Sequence, residues 1–297
     1  MKTISISKKA FKNLDLLDLP QEVLNTEGII YQFSYKRQDK ILKKLYHCEG
    51  PVFANKLYTL EMLDYYKDYL PANFYIPDYL VSVSNRINAF TCPKCQGKTL
   101  QVILSDKNLD YNEKIFYLKQ IGFILEKLKN IRKYTPLKDI YLNDIHSSNF
   151  MVEPINHEVS VIDLDSCKIA DNKAFPSKFL IDDSLVSLIP SKYQKNNDQM
   201  PGTGLFIVDE ETDLYCYSML ILNYLCGINV HRLSLEEYYE YLNYLESIRV
   251  YQKLLDIFAK LVASGHNENP VNYIDALTKE QIYRAHNIVY SRVRKKS

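Results

Sequence analysis

The sequence lacks several features that mark large classes of protein. No stretch of its 297 residues reaches the roughly 18 consecutive apolar residues that a membrane-spanning helix needs, so we expect no membrane span. The formal net charge is only +1, which provides no bulk attraction toward nucleic acid, and we expect no nucleic-acid partner. Hydrophobic residues make up 46% and charged residues 25% of the chain, which is typical of a globular protein with a sizeable core.

Cysteine is too sparse for a disulfide scaffold. The chain has six cysteines and no recognisable signal peptide at its start, and we therefore expect a reduced, cytoplasmic setting. Cys92 and Cys95 have the C-x-x-C spacing of some zinc and redox sites. A structural zinc ion needs four ligands, usually from two such pairs, and the sequence has no second pair. The missing second pair therefore argues against a structural zinc site.

Polar side chains gather around a predicted hairpin near the middle of the chain. Two short apolar runs, residues 150–152 and 159–162, flank a polar turn and predict two buried strands. Asp144 and Asn149 precede the first strand, and Asp163 ends the second. A carboxylate, an amide and a second carboxylate are therefore expected at one end of this hairpin.

This set of side chains suits phosphoryl transfer. Mg²⁺ takes oxygen ligands, usually one or two from protein and the rest from water and phosphates. Asn149 and Asp163 can supply such oxygens, which leaves Asp144 to accept a proton from an attacking hydroxyl. Asp and Asn are also common turn residues, and any one of the three could be explained in that way. The spacing of all three together favours a phosphoryl-transfer site.

The same residues resemble the protein-kinase-like superfamily. Its pattern H-R-D-x-x-x-x-N has the offset of Asp144 and Asn149, and Asp163-Leu-Asp165 stands where D-F-G would follow. The sequence departs from the pattern because Asn143 replaces the Arg and Asp165 replaces the Gly. The stretches N-D-I-H-S-S-N and I-D-L-D are more similar to the aminoglycoside-kinase-like and bacterial lipopolysaccharide-kinase-like branches.

The resemblance implies an α+β fold of the bilobal protein-kinase-like type, with a small β-rich N-lobe and a larger, mainly helical C-lobe. We expect an N-terminal leader at residues 1–25, the N-lobe at 26–95 and the C-lobe at 96–297. A long polar stretch from about residue 166 to 209 would be the activation segment. The nearly all-apolar helix predicted at 211–227 would lie at the centre of the C-lobe, and Asp213 would hydrogen-bond the backbone of the catalytic loop.

The resemblance also implies a nucleotide site in the N-lobe. Strand-like runs at 28–35 and 40–46 predict a hairpin, with Gly28 in the loop that covers the phosphates. The second strand should contain the phosphate-binding lysine. Lys43 and Lys44 both qualify, and alternation sends their side chains to opposite faces. Alignment with the V-A-I-K pattern favours Lys43.

Two further parts of the nucleotide site follow from the resemblance. Glu61 lies 18 residues after Lys43 on a predicted helix, and it would hold the lysine toward the phosphates. The backbone from Thr91 to Cys95, including Cys92, would form the hinge that meets the adenine edge.

The implied function is ATP-dependent phosphotransfer resembling that of a serine/threonine protein kinase. ATP and Mg²⁺ would be the cofactors, and a protein or small-molecule hydroxyl would be the acceptor. Two alternatives stay open. A small-molecule kinase of the aminoglycoside or sugar type is favoured by Asn143 and Asp165, and a pseudokinase that acts as a nucleotide-binding scaffold is favoured by the single glycine of the loop.

Overall fold

Strands concentrate in the N-terminal part of the chain and helices in the C-terminal part. The structure, a computed structural model, describes residues 1–17, 27–173, 208–227, 230, 233–263 and 268–296. The predicted α+β class is confirmed at this level. Most of the expected activation segment, residues 174–207, lies outside the described residues. Within the described part, no helix combines the length and the apolar character needed to cross a membrane.

A five-stranded sheet forms the N-terminal region, in the order β1-β4-β5-β3-β2. Its strands are β1 (Lys2–Ile6), β2 (Gly28–Tyr35), β3 (Gln38–Leu45), β4 (Tyr79–Val83) and β5 (Arg86–Pro93). The predicted hairpin is confirmed, because β2 pairs antiparallel with β3 along its whole length. Lys36 and Arg37 form the two-residue turn, and both have positive φ, as a type I′ turn requires.

Strand β1 lies within the expected N-terminal leader. It pairs in parallel with β4 over all five residues, so residues 2–6 belong to the sheet and the leader prediction is wrong there. Ile4 and Ile6 alternate with polar residues, which is the pattern of a strand, but the run is short. A five-residue helix, α1 (Lys8–Lys12), follows. Residues 18–25 of the predicted leader lie outside the described residues.

Helix α2 (Gly50–Tyr66) packs against one face of this sheet. Its buried residues follow an i, i+3, i+4, i+7 pattern, the stripe of an amphipathic helix, and they are Lys56, Thr59, Leu60 and Leu63. Leu60 packs in a cluster with buried residues of β3, β4 and β5. The stripe therefore places one lysine, Lys56, on the side of α2 that faces the interior.

The C-terminal region is mostly helical and contains the largest apolar core. Its helices are α3 (Leu100–Ser105), α4 (Tyr111–Tyr134), α5 (Glu210–Cys226), α6 (Leu235–Ser247), α7 (Gln252–Ala263) and α8 (Lys279–Lys296). The prediction of a buried, apolar α5 is confirmed, since most of its described side chains are buried. Asp209 and Thr212 form a capping box at its start, and Gly227 ends it with φ of 67°.

Short strands connect the two regions. They are β6 (Lys98–Thr99), β7 (Ile140–Tyr141), β8 (Phe150–Val152), β9 (Val159–Val161) and β10 (Lys168–Ile169). The β8–β9 hairpin is confirmed, and β6 extends it to three strands. The segment before β4 packs along β9. The backbone N–H of Tyr75 donates to the carbonyl of Val161 at 2.9 Å, and the N–H of Val161 donates to the carbonyl of Asn73 at 2.9 Å. These bonds fix the sheet relative to the hairpin.

Asp213 of α5 fixes the loop that precedes β8, as the sequence predicts. Its carboxylate accepts hydrogen bonds from the backbone N–H of Leu142 at 2.8 Å and of Asn143 at 2.7 Å. All three residues are buried. Burial raises the pKa of Asp213 to about 7, although the two N–H donors oppose this shift.

We expect Asp213→Ala to lower the free energy of unfolding by about 2–4 kcal/mol, because two buried N–H groups lose their acceptor. Urea denaturation of the purified protein measures this change. Asp68→Ala serves as the control, since Asp68 is exposed, and it should change stability by less than about 0.5 kcal/mol. Equal stabilities of the Asp213→Ala variant and the wild type would contradict the anchoring role.

Candidate active site

Asp144 and Asn149 lie together in the loop that Asp213 anchors. One turn of 3-10 helix, Ser147–Asn149, turns the chain back, so that Asn149 faces Asp144. The amide Nδ2 of Asn149 donates to the backbone oxygen of Asp144 at 2.9 Å and to its Oδ2 at 3.2 Å. Since Nδ2 is used in this way, the amide oxygen of Asn149 is the atom that can serve as a cation ligand.

The Asp144 carboxylate is held in its ionised form. His146 Nε2 lies 3.4 Å from Oδ2 of Asp144. Although burial opposes the shift, the His146 and Asn149 hydrogen bonds and the charge of Lys43 lower the pKa of Asp144. Its other oxygen, Oδ1, is buried and has no hydrogen-bond partner among the described residues. An ionised carboxylate with an unsatisfied acceptor atom is suited to receive a hydroxyl proton.

Asp163 lies two residues after the end of β9, close to Asn149. The neighbouring N–H of Ile162 donates to the Asn149 carbonyl at 3.0 Å, which brings the two predicted metal ligands together. Asp163 has left-handed backbone geometry, with φ of 58° and ψ of 44°. Asn143 also has positive φ, 66°. Such geometry is uncommon for residues other than glycine and concentrates at functional sites.

Lys43 extends from β3 to the same place. Its Nζ lies 2.8 Å from Oδ1 of Asp163, across 120 residues of sequence. The structure thereby separates the two candidate lysines: Lys43 is buried and faces the carboxylates, whereas Lys44 points to the opposite face and lies over the ring of Phe11. The preference for Lys43 agrees with this geometry.

Asp165 and Lys56 complete a cluster of charges in which these two residues and Lys43 are buried, whereas Glu27 and Asp163 are partly exposed. Lys43 Nζ lies 3.1 Å from each carboxylate oxygen of Asp165, and Lys56 Nζ lies 2.9 Å from Oδ2. Glu27 accepts from Lys56 at 2.8 Å and from Lys43 at 3.4 Å. We call Lys43, Lys56, Glu27, Asp163 and Asp165 the charge cluster.

The electrostatics of the charge cluster follow from burial and pairing. Burial alone would neutralise these groups, but the carboxylates raise the pKa of Lys43 and of Lys56, so both stay charged. The two lysines lower the pKa of Asp165 in the same way, against its burial. Asp163 is only partly buried, and this burial together with the nearby Asp165 carboxylate raises its pKa to about 7, although Lys43 opposes the shift.

The role expected for Glu61 is wrong in this structure. Glu61 is exposed on α2, and the carboxylates that contact Lys43 within the described residues are those of Glu27, Asp163 and Asp165. Glu61 lies outside the buried stripe of α2. The residue of α2 that reaches the charge cluster is Lys56. Its spacing of four and seven positions before Leu60 and Leu63 is the sequence signal that could have identified it.

Gly28 is not in a loop over the site. It is the first residue of β2 and pairs with Leu45 of β3. A Cβ at this position would lie 2.2 Å from the carbonyl oxygen of Lys44, so close strand packing explains the glycine. Thr26, the preceding part of the expected loop, lies outside the described residues.

The expected hinge residues are only partly available for a ligand. Thr91 lies inside β5, where its carbonyl accepts from the N–H of Asp78 at 2.9 Å and its hydroxyl donates to Asp78 at 2.6 Å. This use of its carbonyl argues against an adenine contact by Thr91. Cys92 is also part of β5, and its side chain is buried in the cluster that contains Leu60 of α2. Cys95 follows the end of β5, in the connection to β6, and is the one of these three residues that lies outside a strand.

The oxygen donors of the site fit Mg²⁺ better than a softer metal. Asn149 and Asp163 offer an amide and a carboxylate oxygen, and Mg²⁺ commonly takes one or two such protein ligands. Within the described part of the chain, no group of three or more His, Cys, Asp or Glu side chains could hold a metal ion. Two protein oxygens by themselves would leave the remaining positions around such an ion to other ligands.

Comparisons with known proteins give no match, either to a protein-family model or to a curated protein. The assignment of a function therefore depends on the geometry of the site.

We expect a variant with Cys92→Ala and Cys95→Ser to have the same zinc content as the wild type, far below one ion per chain. Burial raises the pKa of both thiols, that of Cys95 to about 12, and metal ligands are thiolates. Elemental analysis of both purified proteins tests this expectation. Stoichiometric zinc in the wild type that is lost in the variant would contradict it.

Proposed function

We propose that this protein is an ATP-dependent phosphotransferase with a bilobal protein-kinase-like fold, which transfers the γ-phosphate of ATP to a hydroxyl group. The observation that supports the proposal best is the meeting of Lys43 with Asp163, beside the hydrogen-bonded pair of Asp144 and Asn149. A cation for phosphates, two oxygen donors for Mg²⁺ and an ionised acceptor for a proton thus lie in one place. These are the groups that phosphoryl transfer requires.

Each of these residues has a distinct role in the proposal. Lys43 binds the phosphates of ATP, and Asn149 and Asp163 hold Mg²⁺, which would neutralise charge on those phosphates. Because Lys43 is buried and its charge is maintained by carboxylates, it is pre-oriented before nucleotide binds. Little reorganisation is then needed when charge develops during transfer.

Asp144 acts on the acceptor. Its lowered pKa keeps it ionised at neutral pH, so it orients the hydroxyl and accepts its proton. The hydroxyl oxygen then forms the new bond to the γ-phosphorus as the bond from that phosphorus to the bridging oxygen breaks and ADP leaves. His146 and Asn149 both hydrogen-bond Oδ2 and so fix the orientation of the carboxylate. The acceptor is a protein or a small molecule, and a reduced cytoplasmic setting fits the free cysteines of the described chain.

Two variants should separate nucleotide binding from transfer. Asp144→Asn should reduce turnover by about 10²–10⁴ and leave the affinity for Mg-ATP within about threefold, because Asp144 acts on the acceptor. Asp163→Asn should remove the dependence of nucleotide affinity on Mg²⁺, because a charged metal ligand is lost. Calorimetric titration measures the affinities, and γ-labelled ATP measures transfer.

Asp68→Asn is the matched control, since it removes one exposed carboxylate distant in sequence from the site, and both properties should stay at wild-type values. Label on the protein, on added proteins or on small metabolites identifies the acceptor class. Wild-type turnover by Asp144→Asn, or an unchanged effect of Mg²⁺ on Asp163→Asn, would contradict these assignments.

A further inference from the structure

We propose that Asp165, held by Lys56, positions Lys43 for the nucleotide phosphates, and that helix α2 supplies a cation to this arrangement instead of a carboxylate. The inference rests on the proposed function, because it concerns how the phosphate-binding lysine is held. It assigns a positioning role to two residues, neither of which contacts the reacting atoms.

The contacts of Lys43 single out Asp165 among its three carboxylate partners. Both oxygens of Asp165 lie 3.1 Å from Nζ of Lys43, whereas Asp163 and Glu27 each contribute one oxygen, at 2.8 and 3.4 Å. A carboxylate that faces the ammonium group with both oxygens restricts its position more than a single contact does.

The two aspartates differ in their exposure to solvent, and this difference indicates different roles. The side chain of Asp163 is 42% exposed, whereas that of Asp165 is 1% exposed. Asp163 can therefore turn toward Mg²⁺ in the open part of the site. Asp165 is enclosed, and it stays with Lys43 when Asp163 takes the metal.

Lys56 explains how a carboxylate can be buried so completely. When Lys43 shares its charge with phosphates, Asp165 would be left with too little compensation if Lys43 were its only cation. Lys56, whose side chain is 6% exposed, donates to Asp165 at 2.9 Å and keeps it paired. The Lys56 side chain also lies 3.2 Å from the hydroxyl of Ser166, which fixes it to the same segment.

The test is a double-mutant cycle with Asp165→Asn and Lys56→Met, measured both as stability and as Mg-ATP affinity. Each single change removes one charged partner from a buried group, Asp165 from the two lysines or Lys56 from Asp165, and should destabilise the protein. The double variant removes both charges, so it should be more stable than the sum of the single effects predicts. Its Mg-ATP affinity should stay about tenfold or more below that of the wild type, because Lys43 has lost the carboxylate that positions it.

Glu61→Gln is the matched control, because Glu61 is the carboxylate of α2 that faces solvent. It should keep the wild-type affinity within about twofold and the wild-type stability. The separation of the two readouts distinguishes a positioning role from a purely structural one, and the double variant keeps the test valid if a single variant does not fold.

Two outcomes would overturn the inference while leaving the proposed function intact. One is a double variant whose Mg-ATP affinity returns to the wild-type value together with its stability. The other is a loss of affinity in Glu61→Gln equal to that in Asp165→Asn. A wild-type protein that binds no Mg-ATP is a different result: it would reject the proposed function, and the inference with it.

Discussion

The architecture around the site depends on one interaction, the pairing of the buried Lys43 ammonium group with the carboxylates of Asp163 and Asp165. A buried charge is costly unless it is paired and hydrogen-bonded. The pairing therefore requires that β3 and the segment after β9 keep a fixed position relative to each other. The backbone hydrogen bonds between the segment before β4 and β9 maintain that relative position. Asp213 does the same for the loop that contains Asp144.

Local sequence patterns predict much of this arrangement and miss its longest-range part. The hairpins, the apolar helix α5 and the proximity of Asp144, Asn149 and Asp163 follow from alternation, helical period and spacing. The partners of Lys43 do not follow from such patterns, because Asp165 lies 122 residues away in the sequence. An aspartate two residues after another aspartate is usually interpreted as part of a local turn. Only the folded chain shows that this aspartate points into the interior.

Lys56, and not the expected Glu61, reaches the charge cluster for a simple geometric reason. The two residues are five positions apart, which places them about 140° apart around an α-helix. Glu61 is expected from its distance in sequence to Lys43, a measure that ignores the face of the helix. In the sequence, Lys56 lies four positions before Leu60 and seven before Leu63, which places it on the same face of the helix as these two buried leucines. A lysine on a buried face of a helix needs a carboxylate to pair with its charge, and Asp165 is that partner for Lys56.

The most direct test of the central claim is a crystal structure with Mg²⁺ and a non-hydrolysable ATP analogue. The account predicts Mg²⁺ bound by the side-chain oxygens of Asn149 and Asp163, with Lys43 in contact with the phosphates and still hydrogen-bonded to Asp165. An analogue bound elsewhere on the protein, or a Lys43 side chain that remains distant from the phosphates, would contradict it.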